Sequence, residues 1–441
     1  MQIPRDLIDT YDLPVPRYTS YPTAVQFVPA DTDGTRTQVD KLAVLPADEP
    51  VSLYLHIPFC HQLCLYCGCH TKIVNRYEPV EHYLTHLLEE IRLTGQIMGK
   101  RPKASLIHFG GGSPNSLRPQ DMERVFTALF DTFTRTADTK ISLELDPRVL
   151  TDDAIKSYKD IGITRASLGV QDINADVQKA VDRIQPFELI REKTESLRAH
   201  GVDCLNFDLM VGLPLQTTAS ITESFEKLLT LSPDRAAVFA YAHVPWMKKH
   251  QTLIEKNPRG NGYARYEMAE TARQLLIDAG YGAIGIDHFA KPHDPMWHSF
   301  AQGRLRRNFQ GYTEDECDTL IGFGLSAISS FGDLYTQNTT SAPEYHKAIT
   351  EGRLPTSRIC RLNQDDLTRR SIIERLMCYF KAEATVPPNP ALLDSLLTNG
   401  LVTYDGKFIS ITEKGRPFAR LAAACFDAYW REDLNRHARA I

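Results

Sequence analysis

From residue 51 onward, short apolar runs rich in β-branched and aromatic residues alternate with longer stretches whose apolar positions recur at helical spacing. The short runs, at 51–57, 104–110, 140–146, 164–171, 204–212 and 235–243, read as strands. Between them, 80–98, 119–133, 152–162, 188–201 and 221–231 read as amphipathic helices, several closing on a glycine. Strand, helix, strand with no hairpin turn between strands implies parallel pairing through right-handed crossovers. Six such units in about 190 residues fit a barrel or an incomplete barrel better than an open sheet. The expected fold is therefore α/β, an incomplete parallel (β/α)6 TIM-like barrel, and ligands should collect at the carboxyl ends of its strands.

The remaining chain breaks this rhythm. Residues 367–380 and 389–400 read as helices, 401–412 as a hairpin turning on Asp405 and Gly406, and 418–430 as a final helix. That order predicts a mostly helical, winged-helix-like C-terminal domain. Arg369 and Arg370 are its only adjacent basic pair, so a lid or packing role is expected rather than DNA binding. The expected organisation is an N-terminal extension (1–50) that closes over substrate, the barrel (51–290), a connecting segment completing the active site (291–365) and the C-terminal domain (366–441).

Polar residues inside the strands add a first chemical hint. Glu144 and Asp208 interrupt apolar strands, and Gln171 ends the fourth. An acid there is costly unless it is hydrogen-bonded or faces a wet pocket. Any one of them could be structural, but three at neighbouring strand ends favour a pocket.

Composition narrows the class without deciding it. The 441 residues carry a net charge of −5, from 55 acidic and 50 basic side chains, which provides no overall field for nucleic acid or an anionic membrane. No export signal is expected from the opening residues, and no apolar run of roughly 18 residues occurs along the sequence. Cys204, Cys317, Cys360, Cys378 and Cys425 are scattered, and the total of nine cysteines is odd. A reducing, cytoplasmic setting follows as the expectation.

The other four cysteines are concentrated. Cys60, Cys64, Cys67 and Cys69 fall within ten residues immediately after the first strand. Their spacing suits neither a helix face nor a strand, so it reads as a loop wrapping its sulfurs around one centre. Disulfides fit the compartment poorly, and structural zinc lacks a second ligand pair at a suitable distance. An iron–sulfur cluster remains, with Cys69 either completing its ligand set or leaving one iron open to substrate.

Cys-x3-Cys-x-aromatic-Cys with Tyr66 as the aromatic, together with "HFGGGSP" at 108–114, resembles the radical S-adenosylmethionine enzymes. "PRYTSYPTA" (16–24), "ELDPR", "SLGVQDIN", "NFDLMVGLPLQT", "YAHVPWM", "IGIDHFAKP", "RNFQGYT" and "GFGLSAIS" extend the likeness, from about Pro16 to the C-terminal helix, to the oxygen-independent coproporphyrinogen III dehydrogenases. A haem-chaperone paralogue shares the cluster loop but lacks the "PRYTSYP" segment. The resemblance implies a [4Fe-4S] cluster on Cys60, Cys64 and Cys67, with Cys69 not a ligand, and two S-adenosyl-L-methionine molecules. Tyr54, Gly111, Glu144 and Ile328 would touch the one on the cluster. Tyr66, Gly112, Ser113, Gln171, Arg183, Asp208 and Ala242 would surround the second. Ser113 stands for a threonine and Tyr66 for a phenylalanine of the family, keeping hydroxyl and ring; no consequence attaches to Val15, which replaces a small residue.

The implied reaction converts two propionates of coproporphyrinogen III to vinyl groups, giving protoporphyrinogen IX. It needs a radical because the C–H bond is unactivated, and leaves the protein chiefly positioning and water exclusion. No residue is assigned as a certain catalyst; Tyr54 and Cys69 are the candidates. Arg17, Arg304, Arg306 and Arg307 are candidates for the substrate carboxylates, because a guanidinium fork binds them in two places. An electron donor such as flavodoxin or ferredoxin, a monomeric chain and no nucleic-acid or membrane partner complete the expectation. Rival readings are a radical methyltransferase or haem-degrading paralogue, a haem chaperone and a DNA-binding iron–sulfur sensor. Deleting residues 1–24 is expected to abolish turnover while sparing cluster assembly.

Overall fold

The computed structural model describes residues 3–431 and 437–439. Strands β1 (Val51–Ile57), β2 (Lys103–Gly111), β3 (Thr134–Leu145), β4 (Arg165–Gln171), β5 (Cys204–Val211) and β6 (Arg235–Ala240) lie side by side in chain order. Every neighbouring pair is parallel. Helices α1 (Glu78–Met98), α2 (Pro119–Thr132), α3 (Asp152–Ile161), α4 (Phe187–Ala199) and α5 (Thr218–Leu229) make the crossovers, and α6 (Gly262–Asp278) follows β6. Left-handed glycines stop α1 at Gly99 and α3 at Gly162, as the sequence suggests.

The two faces of the sheet differ in chemistry because side chains alternate along a strand. On β5, Leu205, Phe207, Leu209 and Val211 are buried, whereas Asn206, Asp208 and Met210 line a cavity. On β4, Ala166, Leu168 and Val170 are buried, and Arg165, Ser167, Gly169 and Gln171 face the same cavity. The apolar face joins the core cluster that includes Leu84, Leu87 and Ile91 of α1 and Val125 and Leu129 of α2. The polar face encloses a wet interior, which explains acids in otherwise apolar strands.

The sheet continues beyond the six expected strands, to thirteen. Thr319–Phe323 pairs parallel with β1, and Ile328–Phe331, Leu334–Asn338, Thr356–Arg361 and Val28–Pro29 follow antiparallel. On the other edge, His288–Ala290 pairs antiparallel with β6, and Gly282–Ile284 pairs antiparallel with His288–Ala290 in turn. The stretch read as a connecting segment thus contributes four strands to the main sheet. The helix Ala342–Thr350, called α7, crosses between two of them.

The C-terminal part contains α8 (Gln364–Tyr379), the helix Pro390–Thr398 and a three-stranded sheet of Lys381–Glu383, Phe408–Ile411 and Val402–Tyr404. The hairpin turns where expected: Gly406 has φ 89°, and the Asp405 carboxylate accepts from Lys407 N and Phe408 N. The last helix is shorter than expected, Ala419–Ala424. Asp427 ends the helical run by accepting from the backbone N–H groups of Tyr429 and Trp430, a local turn that competes with helix.

The N-terminal residues do not form a detached flap. Leu7, Ile8, Tyr11, Val15, Tyr18 and Tyr21 join residues of α8 and the C-terminal sheet in a second hydrophobic core. Deleting 1–24 would therefore remove part of that core, so the expected sparing of cluster assembly does not follow from such a deletion. No helix among the described residues is long and apolar enough to cross a membrane.

Candidate active site

The cysteine loop leaves the carboxyl end of β1 and is closed at its base by backbone pairing. Phe59–Cys60 runs parallel to Lys72–Ile73, and Val74 N donates to Cys60 O at 3.0 Å. Within the loop, Cys67 N donates to Cys64 O at 3.0 Å, and Leu65 N reaches Val181 O at 2.9 Å. A segment beyond β6 holds the far side: Gln251 Nε2 donates to Tyr66 O at 2.9 Å, His250 Nε2 to Cys67 O at 2.9 Å and Lys248 Nζ to Cys69 O at 2.8 Å. All four thiols line one cavity of about 370 Å³, at the carboxyl end of the parallel strands.

The sulfurs differ in their surroundings. Arg183 Nη1 lies 3.4 Å and Arg148 Nη2 3.5 Å from Cys64 Sγ. Burial pushes the Cys60 thiol up to about 11, although Ser113 Oγ, 3.6 Å away, opposes the shift. A hydrogen bond with Cys69 is the chief reason Cys67 falls to about 6, aided by the charges of Lys248 and His250, and Cys69 rises in return.

The glycine run at the end of β2 lies against the base of this loop. Gly112 N donates to Ile57 O and Ser113 N to Phe59 O, both at 2.8 Å. A Cβ on Gly112 would sit 2.6 Å from Phe59 O, and one on Gly111, at φ 112°, 2.6 Å from the His56 ring. Only glycine permits this approach. His56 is fixed from both sides, donating through Nε2 to His70 O at 2.9 Å and accepting at Nδ1 from the Tyr54 hydroxyl at 3.0 Å. Burial holds His56 down to about 4, so the imidazole is neutral near pH 7.

The strand-borne groups complete the interior. His108 Nε2 lies 3.1 Å from Glu144 Oε1, and the Glu144 side chain, on the cavity lining, is 43% exposed. Enclosure by protein pushes its pKa upward, but the His108 hydrogen bond and charge and the Gly111 N–H outweigh this and keep it below the usual carboxylate value. Asp208 is the opposite case. Burial raises it to about 6, despite hydrogen bonds from Ser167 Oγ at 2.7 Å and Asn206 Nδ2 at 2.8 Å. Gln171 takes φ 64° where the β4–β5 register slips, a local irregularity that re-aims a strand end. Arg183 donates to Gly169 O at 2.6 Å and faces Asp146 Oδ1 at 3.4 Å.

The structure brings most of the residues singled out from sequence into this one cavity: Cys60, Cys64, Cys67, Cys69, Tyr66, Gly111, Gly112, Ser113, Glu144, Gln171, Arg183 and Asp208. Tyr54, Ala242 and Ile328 are not on its lining. Tyr54 stands behind His56 and stacks on His108, with centroids 5.9 Å apart. Ala242 O accepts from Gln251 Nε2 at 3.3 Å, and Ile328 packs in a cluster with Phe27 and Tyr335. Among the substrate arginines, Arg17 donates to Ala240 O at 2.8 Å, at the end of β6. Arg307 donates to Arg17 O and Tyr18 O and lies 4.3 Å over the Tyr312 ring, which lines the cavity. Arg306 pairs with Glu374 at 3.0 Å, and Arg304, exposed, pairs with Glu316 at 2.7 Å, so neither reaches the cavity.

Other residues of the site were not anticipated. Arg165 and Arg235, at strand starts, reach the inner end of the cavity and pair with Glu314 and Asp294. Their signal in the sequence is an arginine opening an apolar run, indistinguishable from an ordinary solvent-facing flank. Lys248, His250 and Gln251 follow the sixth strand, so the strand-end rule marks their neighbourhood but not their roles.

The donor set fits an iron–sulfur cluster carrying a polar organic group. Thiols converge on a cavity that also presents a carboxylate, guanidinium groups and a glycine strap. Buried side-chain atoms of lining residues, among them Asn206 Oδ1 and Gln310 Nε2, have no hydrogen-bond partner in the protein, and a zwitterionic ligand supplies such partners.

Comparison with known proteins points the same way. Residues 54–228 match the radical SAM superfamily. The chain is 41% identical to the oxygen-independent coproporphyrinogen III oxidase of Bradyrhizobium diazoefficiens, covering 97% of both chains. It is 34% identical to the enzyme of the same name from Synechocystis, covering 96% of this chain and 94% of the relative. The solved coproporphyrinogen III oxidase of Escherichia coli, described as a radical SAM enzyme, superposes with a TM-score of 0.88 at 34% identity, covering 98% of this chain and 100% of that one.

Proposed function

Because the chain belongs to the oxygen-independent coproporphyrinogen III oxidases of the radical SAM superfamily, we propose that its cavity oxidises coproporphyrinogen III to protoporphyrinogen IX in haem biosynthesis. It is a radical SAM oxidoreductase, and two propionates become vinyl groups without oxygen. The observation that carries this reading is the convergence of Cys60, Cys64 and Cys67 with the glycine strap on one cavity at the strand ends.

Cys60, Cys64 and Cys67 would hold a [4Fe-4S] cluster, and Cys69, hydrogen-bonded to Cys67, would stay outside the ligand set. When bound, the cluster and S-adenosyl-L-methionine supply a hydrogen-abstracting alkyl radical, the chemistry that an unactivated propionate C–H bond requires. Gly111 and Glu144 would bind the ammonium and backbone of one S-adenosyl-L-methionine, with Tyr54 acting through His56. Tyr66, Gly112, Ser113, Gln171, Arg183 and Asp208 would enclose a second. Glu144, kept ionised by His108, offers a fixed negative charge to a cationic ligand at neutral pH. Arg17 and Arg307 are the favoured partners of the substrate propionates, Arg17 held at the end of β6 by Ala240 O and Arg307 by the backbone carbonyl of Arg17. The sheet and helices around the cavity act as an incomplete (β/α)6 barrel that excludes water, and the C-terminal part is winged-helix-like in order. The free thiols among the described residues suit a reducing cytoplasm, and the chain would act as a monomer served by flavodoxin or ferredoxin.

The deciding experiment is anaerobic reconstitution with iron and sulfide, followed by coproporphyrinogen III, S-adenosyl-L-methionine and a reductant, with pigments identified by mass. Loss of two carboxyl groups per macrocycle is expected. A methylated or ring-opened pigment, or tight haem binding without cleavage of S-adenosyl-L-methionine, would replace this reading.

A further inference from the structure

In the first half of α1, outside the cavity lining, three imidazoles meet. His82 and His86 stand one turn apart on α1, and His346 approaches from α7. Ring centroids are 4.7 Å apart for His82 and His86, 4.4 Å for His82 and His346, and 4.3 Å for His86 and His346. One nitrogen of each lies within 4.8 Å of the other two. His86 Nδ1 is 2.8 Å from the carbonyl of His82. A carbonyl only accepts, so Nδ1 carries the proton and Nε2 keeps its lone pair for another partner. His346 Nε2 is buried and has no hydrogen-bond partner, a state that costs free energy unless something occupies the lone pair.

We propose that His82, His86 and His346 form a binding site for a divalent transition ion of the zinc type, clamping α1 to α7. Imidazole nitrogens without carboxylate oxygens favour Zn²⁺, Ni²⁺, Co²⁺ or Cu²⁺ over Mg²⁺ or Ca²⁺. Zn–N bonds of about 2.0–2.1 Å at tetrahedral angles place ligand atoms roughly 3.3 Å apart, so small side-chain rotations from the present spacing, within 4.8 Å, would complete the site. The bond from His86 Nδ1 to a backbone carbonyl is the outer contact that orients a metal-ligating histidine. The two helices are already fixed relative to one another: Tyr345 stacks on Tyr83 with centroids 5.6 Å apart, and its hydroxyl donates to Glu90 at 2.6 Å. Three ligands leave a fourth position for water, on the exposed side of His82. The Lys72 charge reaches His346 and works against a cation, so affinity rests on the three imidazoles. The clamp adjoins the cofactor cradle, since Tyr83, next to His82 in sequence, donates to His56 O at 2.6 Å, and His56 backs Gly111.

The test uses the anaerobic, cluster-loaded protein, in which iron already occupies the cysteine loop. Equilibrium dialysis against Zn²⁺ with metal analysis should give one zinc per chain beyond the cluster iron, and zinc should raise the melting temperature. In His346→Ala and His86→Ala, the apparent affinity should fall at least tenfold and the thermal shift should disappear. His82→Gln, at an exposed position, serves as a third variant should either of the others fold poorly. Failure of the wild-type protein to take up the extra zinc, or uptake unchanged in the variants that fold, overturns the site.

Discussion

Single residues decide whether the cradle accepts its ligand. A Cβ at Gly111 would press on the His56 imidazole, and φ 112° is disfavoured for any L side chain, together a strain of roughly 1–3 kcal/mol. Gly111→Ala should therefore fold and hold its normal iron content while binding S-adenosyl-L-methionine about tenfold or more weakly, as read by anaerobic calorimetry. Asp208 makes a prediction about pH. Its carboxyl titrates near 6 in the folded chain against 3.8 as a free side chain, so the native state holds more protons between these values. Stability then falls as pH rises from about 4 to 6, and the full deficit, roughly 3 kcal/mol, persists above that. Asp208→Asn should be the more stable protein at pH 7.5, with the gap closing toward pH 4, in anaerobic urea unfolding, while its porphyrinogen turnover drops. Both acids were legible in the sequence because a carboxylate in an apolar strand is costly. Gln171 was legible as a polar strand end, but its left-handed backbone was not, since no residue near it announces a positive φ.

At the scale of elements, the cysteine loop is supported by chain far away in sequence. Gln251 is fully buried, donates to Tyr66 O and Ala242 O, and accepts from Val244 N at 2.7 Å. Gln251→Leu would strand all three backbone groups at roughly 1–3 kcal/mol each. The expected result is a lower iron content after reconstitution and faster bleaching of the cluster in air, with the far-ultraviolet circular dichroism unchanged. Unchanged iron content and bleaching rate would show that the loop stands without this support. The six parallel strands were legible because long apolar runs repeat at regular spacing. The strands between Thr319 and Arg361 were not, because "IGFGLSAISSFGDLYTQN" is dense in glycine and serine, and its strands are four or five residues long. Pairing with β1 and with each other, rather than local preference, makes them strands.

Across the whole molecule there are two main hydrophobic cores, and the N-terminal chain links the second of them to the end of β6. Its apolar side chains belong to the C-terminal core, and Arg420 from that core donates to Pro16 O at 3.0 Å. Arg17, the next residue, crosses to Ala240 O on the barrel side. The sequence showed that this segment matters through its motif, but not that it is load-sharing, because its partners lie some 350–400 residues away. Removing 1–24 would strip seven fully or nearly fully buried apolar side chains, Ile3, Leu7, Ile8, Tyr11, Val15, Tyr18 and Tyr21, at about 1.5–3 kcal/mol each, a sum comparable to the stability of an entire domain. Truncation would abolish turnover by unfolding the C-terminal part, and so cannot test a role in substrate closure. Arg17→Ala can, since its side chain lies outside both cores. It should retain the melting temperature, the iron content and slow substrate-independent cleavage of S-adenosyl-L-methionine, yet lose at least tenfold in kcat/KM for coproporphyrinogen III. Arg304→Ala, which removes an exposed pair with Glu316 and exposed hydrogen bonds to Gln302, should change none of these, because such surface pairs contribute at most about 1 kcal/mol. Equal turnover in the two variants would move propionate binding away from the N-terminal crossing and toward the inner arginines, Arg165 and Arg235.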